Sequence, residues 1–221
     1  MPLARSAVGT DVPRHLVTRP ALPAHAIDRP RLWALLSELV ISHRVTTVVA
    51  PAGFGKTSAL SGWADRWESP VGWLSLTQSD QHPERLRRAL EAAAEKLTTE
   101  ESLVDESMAL DRAERDTWPV LVIDDLQFAR GEDALGALRD FIGRTDLRAR
   151  IVLSTRAEPN VGLARLLADG ELARLGPGDL ALTRTEVREA ARTLGRELDD
   201  AGAERLRSLT GGWPVAVRLA L

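Results

Sequence analysis

A doubly wound α/β fold is predicted for this 221-residue chain by three observations. Short runs rich in Val, Ile and Leu alternate with stretches of helical periodicity. The run VTTVV leads into the glycine-containing stretch APAGFGKTS at residues 50–58, and a helix-forming segment follows it. A further apolar run, VLVIDD at 120–125, ends in paired acids. Runs that are apolar throughout, without alternation, suit strands buried on both faces, as in a parallel sheet covered by helices on either side.

Residues 1–27 hold several prolines and no sustained period, so they read as a flexible N-terminal arm. The main domain is expected over 28–180. Its first helix starts with Asp28 as N-cap and Pro30 in the first turn, and carries Leu32, Leu35, Leu36, Leu39 and Val40 on one side. Val45–Ala50 reads as a buried strand, Lys56–Trp67 as a helix, Gly72–Leu76 as a strand, and Pro83–Leu97 as a helix opened by proline. The polar, acidic stretch 98–117 reads as a surface connection with some helix. Val120–Asp124 is the next strand, Asp133–Ile142 a helix, Ile151–Ser154 a strand and Leu163–Ala168 a short helix. Leu172–Leu175 is a candidate fifth strand. Beyond it the pattern is helical only, which predicts a small helical subdomain over 181–221. Thr183 and Glu186 have capping-box spacing there, and Gly195 and Gly211 suit helix stops.

Composition narrows the function. The absence of cysteine excludes disulfides and thiolate metal sites and fits a reducing compartment. A formal net charge of −3 lacks the basic footprint of nucleic-acid binding, so no nucleic-acid contact is expected from this chain itself. No run approaches the length of a membrane span, and the N-terminus lacks the apolar core of a signal peptide. A cytoplasmic location is the expectation by elimination.

The stretch APAGFGKT matches the phosphate-loop pattern G-x-x-x-x-G-K-[ST], with Ala50 in the first glycine position, where a compact side chain suffices. In such a loop, backbone N–H groups and a helix N-terminus face the phosphates, glycines let the chain curl close, the lysine reaches the β and γ phosphates, and the hydroxyl ligates magnesium. Pro51, Ala52, Gly53, Phe54, Gly55, Lys56, Thr57 and Ser58 are therefore the candidate nucleotide-binding residues. An ordinary glycine turn is the alternative; with only two lysines in the chain, Lys56 is hard to dismiss as accidental. Asp124 is the candidate second Mg2+ ligand beside Thr57, and Asp125 the candidate catalytic residue that orients or deprotonates an attacking water. An acidic turn after a strand is the alternative there. The run RIVLSTR at 150–156 ends in Arg156, a candidate γ-phosphate sensor or simply an exposed arginine. Most of the six tryptophans sit where core packing explains them, and Trp213, beside Pro214, is the exception.

Taken together, APAGFGKTSALSGWA, VGWLSLTQSDQHPERLRRAL, VLVIDDLQ, IVLSTRAEPNVGLARLLADGELARLGPGDLALT and LTGGWPVAVRLA resemble the nucleotide-binding module of the STAND-class signalling ATPases, most closely the large ATP-binding transcriptional regulators of the LuxR type. The resemblance covers roughly residues 15–221 and lies in motif order and spacing. It implies a P-loop NTPase of the ASCE type, with a five-stranded parallel sheet in which the sensor strand separates the acidic strand from the phosphate-loop strand, and a helical subdomain that closes over the nucleotide. It implies ATP or ADP with Mg2+ as cofactors. In GGWP, Pro214 would pack beside adenine or ribose, and it also suits a first helical turn. The match of IDRPRL places Ile27 and Arg29 as candidates at the base pocket. The implied function is a switch: ADP holds a closed monomer, ATP favours a homo-oligomer, and slow hydrolysis resets it.

Such regulators usually continue into a winged helix, a helical-repeat sensor and a helix-turn-helix. This chain stops at Leu221, so a fragment, a truncated product or a module that works with a partner protein is expected. The winged helix normally contributes a histidine to the ADP phosphates; His15, His25, His43 and His82 are wrongly placed to replace it and read as surface or capping residues. Two alternatives stand beside the switch. One is a non-catalytic interaction module that binds nucleotide for stability. The other is a phosphotransferase, whose lid would have to include Arg184, Arg188 and Arg192, although their spacing better fits a solvated helix face.

Overall fold

The computed structural model describes residues 18–102, 118–144 and 148–221. The apolar runs form five strands: β1 (Val45–Val49), β2 (Val71–Ser75), β3 (Val120–Asp124), β4 (Arg150–Thr155) and β5 (Leu172–Leu175). They pair in the order β2-β3-β4-β1-β5, and every pairing is parallel. The phosphate-loop strand β1 is thus separated from the acidic strand β3 by β4, whose register with β1 runs from Val45 opposite Ile151 to Val49 opposite Thr155.

Helices cover both faces. On one side lie α1 (Pro30–Ser42) and α2 (Lys56–Ala64); on the other lie α3 (Pro83–Ser102) and α4 (Glu132–Ile142). Strand side chains alternate between the two layers. Val120 and Val122 pack with Leu32, Leu36, Leu60 and Trp63, whereas Leu121 and Ile123 pack with Leu86, Leu90, Leu138 and Phe141. All five residues of β3 are buried, as the continuous apolar run required. Five helices flank or follow β5: α5 (Ala164–Ala168) precedes it, and α6 (Pro177–Leu180) leads to α7 (Arg184–Thr193), α8 (Asp200–Thr210) and α9 (Pro214–Ala220).

The differences from expectation have local causes. Asp28 does not cap α1; the helix starts at Pro30 with no side-chain cap, and Asp28 pairs with Arg66 at 3.2 Å. Helix α2 ends at Ala64 rather than Trp67, and α3 continues past Leu97 to Ser102, so the helix expected within the connection is an extension of α3. Helix α6 was not anticipated; Asp179 stabilises its start by accepting from the Gly176 N–H at 2.8 Å. Residues 1–17 of the expected arm, with His15, and 103–117 of the expected connection lie outside the described residues. The described part of the arm runs along α2, where Ser61 Oγ donates to Pro20 O at 2.9 Å.

The last three helices build their own small core from Leu182, Val187, Ala203 and Val217, with Ile27 packed against it. The capping box forms as its spacing predicts: the Glu186 N–H donates to Thr183 Oγ1 at 3.3 Å, and the Thr183 N–H donates to Glu186 Oε2 at 2.8 Å. Gly211 ends α8 in the left-handed region at φ 62°. Gly212 follows at φ 69°, and a Cβ there would lie 2.6 Å from Leu182 O.

One buried ion pair ties these helices to the start of α1. Arg29 Nε donates to Glu186 Oε1 at 3.0 Å and Nη2 donates to Oε2 at 3.2 Å, while Nη2 also reaches Ala181 O at 3.1 Å. Burial pushes the Glu186 carboxyl up, but the hydrogen bonds from Arg29 and from the Thr183 backbone outweigh it and hold the pKa below its ordinary 4.5. A carboxylate depressed in the folded state adds stability that is fully present above pH 4.5 and is lost as pH falls through the folded value.

Removing one partner of a buried pair strands the other's charge. Arg29→Met is expected to cost about 3–5 kcal/mol in denaturant melts, with much of the loss recovered in Arg29→Met/Glu186→Leu. In acid titrations of stability, Glu186→Gln should flatten the decline that the wild type shows below pH 4.5.

Candidate phosphate-loop site

The loop begins where β1 ends. Ala50 is buried and its N–H donates to Thr155 O of β4 at 3.2 Å, which leaves no room for a large side chain. Gly53 and Gly55 then take left-handed φ values of 80° and 73°, and α2 starts directly at Lys56. The first-turn amides of α2 lack helical acceptors and carry the positive end of the helix dipole, so they are suited to receive an anion in this loop.

Lys56 is 8% exposed and folds back onto the loop, donating from Nζ to Ala50 O at 2.6 Å and to Pro51 O at 3.2 Å. An ammonium has three donors, so one remains for a ligand. Burial lowers its pKa; Asp124 and Asp125 pull the other way, Arg156 adds to the lowering, and the net direction is down. An added anion would relieve that burial of an undercompensated cation.

Asp124 ends β3 at 2% exposure. Its Oδ2 accepts from Thr57 Oγ1 at 2.7 Å and its Oδ1 accepts from the Asp125 N–H at 2.9 Å, so the carboxylate is held by both oxygens. Asp125 is half-buried and takes φ 56°. Arg156 follows β4 and is exposed, near enough for its charge to act on Lys56. The fold thus brings Lys56, Thr57, Asp124, Asp125 and Arg156 together at the carboxyl ends of β1, β3 and β4, the end of a parallel sheet where ligands bind. The hydroxyl and carboxylate of Thr57 and Asp124 are hard oxygen donors side by side, a set that fits Mg2+.

Beside the loop lies a cavity of about 320 Å³. Leu22, Ile27, Leu182, Leu194, Pro214 and Val215 give it apolar walls, and Phe54 and Ser58 close the end toward the loop. Ile27 and Pro214 are among the residues that line it. Arg29 lines it too, but its guanidinium is committed to Glu186. His25, expected as a surface residue, also borders the cavity, whereas His43 bonds to Leu39 O at 3.0 Å at the end of α1.

The helical subdomain touches the loop itself. Trp213 Nε1 donates to Ala52 O at 3.2 Å, and the Val215 N–H in the first turn of α9 donates to Gly53 O at 3.2 Å. The rings of Phe54 and Trp213 stack at 6.1 Å between centroids. A Cβ on Gly53 would meet Val215 Cγ1 at 2.6 Å, so this glycine is required by its backbone angle and by its neighbour alike. Sequence reasoning singled out Trp213 but not its bond to the loop. It found Glu186 as a cap but not as Arg29's partner, because the two are 157 positions apart. The wall formed by Leu22, Pro23, His25 and Ala26 sits in a proline-rich stretch that carries no periodic signal.

No protein-family model matches the chain. Among curated proteins, it is 30% identical over 220 residues to the HTH-type transcriptional regulator MalT of Cronobacter sakazakii, covering 92% of this chain and 24% of that protein. The chain therefore spans about a quarter of the length of that relative. Among solved structures, the Signal Transduction ATPase with Numerous Domains (STAND) protein with a tetratricopeptide repeat sensor from Pyrococcus horikoshii aligns with TM-score 0.51 and 14% identity, over 91% of this chain and 30% of that one. This is a P-loop NTPase fold. The resemblance read from the motifs is borne out in sequence by a transcriptional regulator, and the structural likeness bears out the fold. A Walker-type ATPase of Pyrococcus abyssi aligns at TM-score 0.46, too low to add weight. Among the described residues, no helix is long and apolar enough to cross a membrane.

The two loop glycines should respond differently to alanine. At Gly55 a Cβ meets nothing within 4 Å, so only the left-handed backbone is strained and about 1 kcal/mol is expected. Gly53→Ala adds a clash with Val215, and a loss of about 2–4 kcal/mol is expected in denaturant melts.

Proposed function

We propose that this chain is an ATP-binding regulatory switch module with slow hydrolysis. The observation that carries the reading is the double hydrogen bond from the helical subdomain to the phosphate-loop carbonyls of Ala52 and Gly53. A loop that both receives phosphates and holds a neighbouring helix converts occupancy into a change in that helix.

The backbone N–H groups of Ala52 to Gly55 would wrap the phosphates, following Pro51, which has no N–H to offer, and Lys56 would turn its remaining N–H toward the β and γ oxygens. Thr57 and Asp124 would hold Mg2+, which when bound supplies positive charge to those oxygens. Arg156 would meet the γ phosphate, and Asp125 would take the proton of an attacking water. The adenine and ribose belong in the 320 Å³ cavity, against Ile27 and Pro214, near the lower end of small-molecule site volumes. Arg29 holds the cavity wall in place through Glu186 and leaves base contact to its apolar neighbours. ADP and ATP shift a conformational equilibrium only if they contact its two states differently, and the γ phosphate with Arg156 supplies that difference.

The regulatory part of the reading is supported by the similarity to a transcriptional regulator and to a signal-transduction ATPase. The ATP form is proposed to self-associate in the cytoplasm. Inducer reception and DNA contact are proposed to reside outside these residues, in further domains or a partner protein.

Equilibrium binding of ATP and ADP, with Mg2+, to the wild type and to Lys56→Ala tests the site. Loss of one charge-assisted contact predicts binding weakened about tenfold or more. A switch further predicts different tryptophan emission with ATP and with ADP, because Trp213 touches the loop. Failure of both nucleotides to bind at millimolar concentration would overturn the proposal.

A further inference from the structure

The geometry points to Gln127 as the residue that positions Asp125 and, through it, the attacking water, an inference that rests on the hydrolytic reading of this site. Among the described residues Asp125 is the one non-glycine with a positive φ, at 56°. Such a conformation costs on the order of 1–3 kcal/mol and persists where the surroundings enforce it, commonly at functional sites. Here it turns the chain from β3 straight into the 3-10 turn Leu126–Phe128. That turn brings the Gln127 side chain back onto Asp125, where Nε2 donates to Oδ1 at 2.6 Å.

The amide's orientation follows from chemistry. An ionised carboxylate only accepts, so the NH2 end must face it and the carbonyl end must face away. That carbonyl oxygen, Oε1, is closed off from solvent and has no hydrogen-bond partner. A buried unpaired acceptor costs about 1–3 kcal/mol, and in a folded protein such an exception calls for a reason. The amide's tie to Asp125 supplies one: with Nε2 held on Oδ1, the carboxylate is fixed in direction and its other oxygen is left to accept a hydrogen from a water.

The step then balances. The water oxygen forms the new bond to phosphorus, one water proton passes to Asp125, and the bond from the γ phosphorus to the bridging oxygen breaks. ADP leaves with that electron pair, and the proton returns to solvent through Asp125. Gln127 exchanges no proton; it fixes the direction of the carboxylate and, through it, of the water.

Three variants test this in the full chain: Gln127→Met, which keeps length but neither donates nor accepts, Gln127→Glu, which keeps shape but repels Asp125, and Asp125→Ala. Without nucleotide, the Gln127 side-chain amide resonances, assigned by their absence in Gln127→Met, should shift toward those of exposed glutamines in Asp125→Ala. With Mg2+ and ATP, Gln127→Met and Gln127→Glu should lower kcat by about tenfold to a hundredfold while nucleotide Kd stays within about twofold. In the Asp125→Ala background, Gln127→Met should cost little more, since the two act as a unit. An unshifted amide, an unchanged kcat, additive losses, or kcat and Kd failing together would each overturn the role. Wild-type binding without any turnover would also remove it and leave the binding site standing, whereas absence of Lys56-dependent binding would remove the site itself.

Discussion

At Gly53 two parts of the chain come too close for any side chain between them. The loop carbonyls at 52 and 53 accept from Trp213 and Val215, and Phe54 lies against the Trp213 ring. Everything else at the site is arranged around this contact. The sheet fixes one end of the loop through Ala50 and Thr155, the start of α2 fixes the other, and the last helix holds the middle. A loop clamped at three points has few ways to accommodate phosphates except by moving one clamp, and the small helical core, built on four buried residues, is the least massive of the three.

Electrostatics divides the same way. The central cluster is polar and underpaired: Lys56 is buried among carbonyls with its charge disfavoured, two carboxylates stand at the end of β3, and Arg156 waits at the rim. The outer connection is fully paired, because Arg29 and Glu186 satisfy each other and Arg29 also takes the Ala181 carbonyl. One set of charges is completed within the fold, and in the proposed function the other is completed by the nucleotide. This contrast explains why Arg29 and Lys56, both buried cations beside the loop, serve different ends: Arg29 fixes the wall, and Lys56 remains able to respond.

Much of this was legible in the residues. Continuous apolar runs such as VLVID mark buried parallel strands because every position in them faces a helix layer, and the loop motif marks the strand-to-helix turn because only certain backbone angles curl around phosphate. The ASCE order of strands came from the resemblance and not from periodicity, since a parallel strand's neighbours leave no trace in its own pattern. What stayed hidden depends on long-range contact. Nothing near Arg29 announces Glu186, nothing in residues 22–26 announces a cavity wall, and Gln127 reads as one polar residue after an acidic turn. The misjudged start of α1 has the same origin, because Asp28 is a good cap locally but turns to Arg66 in the fold.

In the proposed switch the phosphate loop and the last helix are mechanically joined, so that the helical subdomain reads the γ phosphate. Hydrogen exchange of the Val215 backbone amide, which donates to Gly53 O at 3.2 Å, reports on that joint directly. With saturating Mg2+ and nucleotide, clearly different protection of this amide is expected in the ADP and ATP forms, while amides in β3 stay equally protected. Identical protection at Val215 with both nucleotides bound would contradict it, leaving a phosphate loop whose occupant the subdomain does not sense.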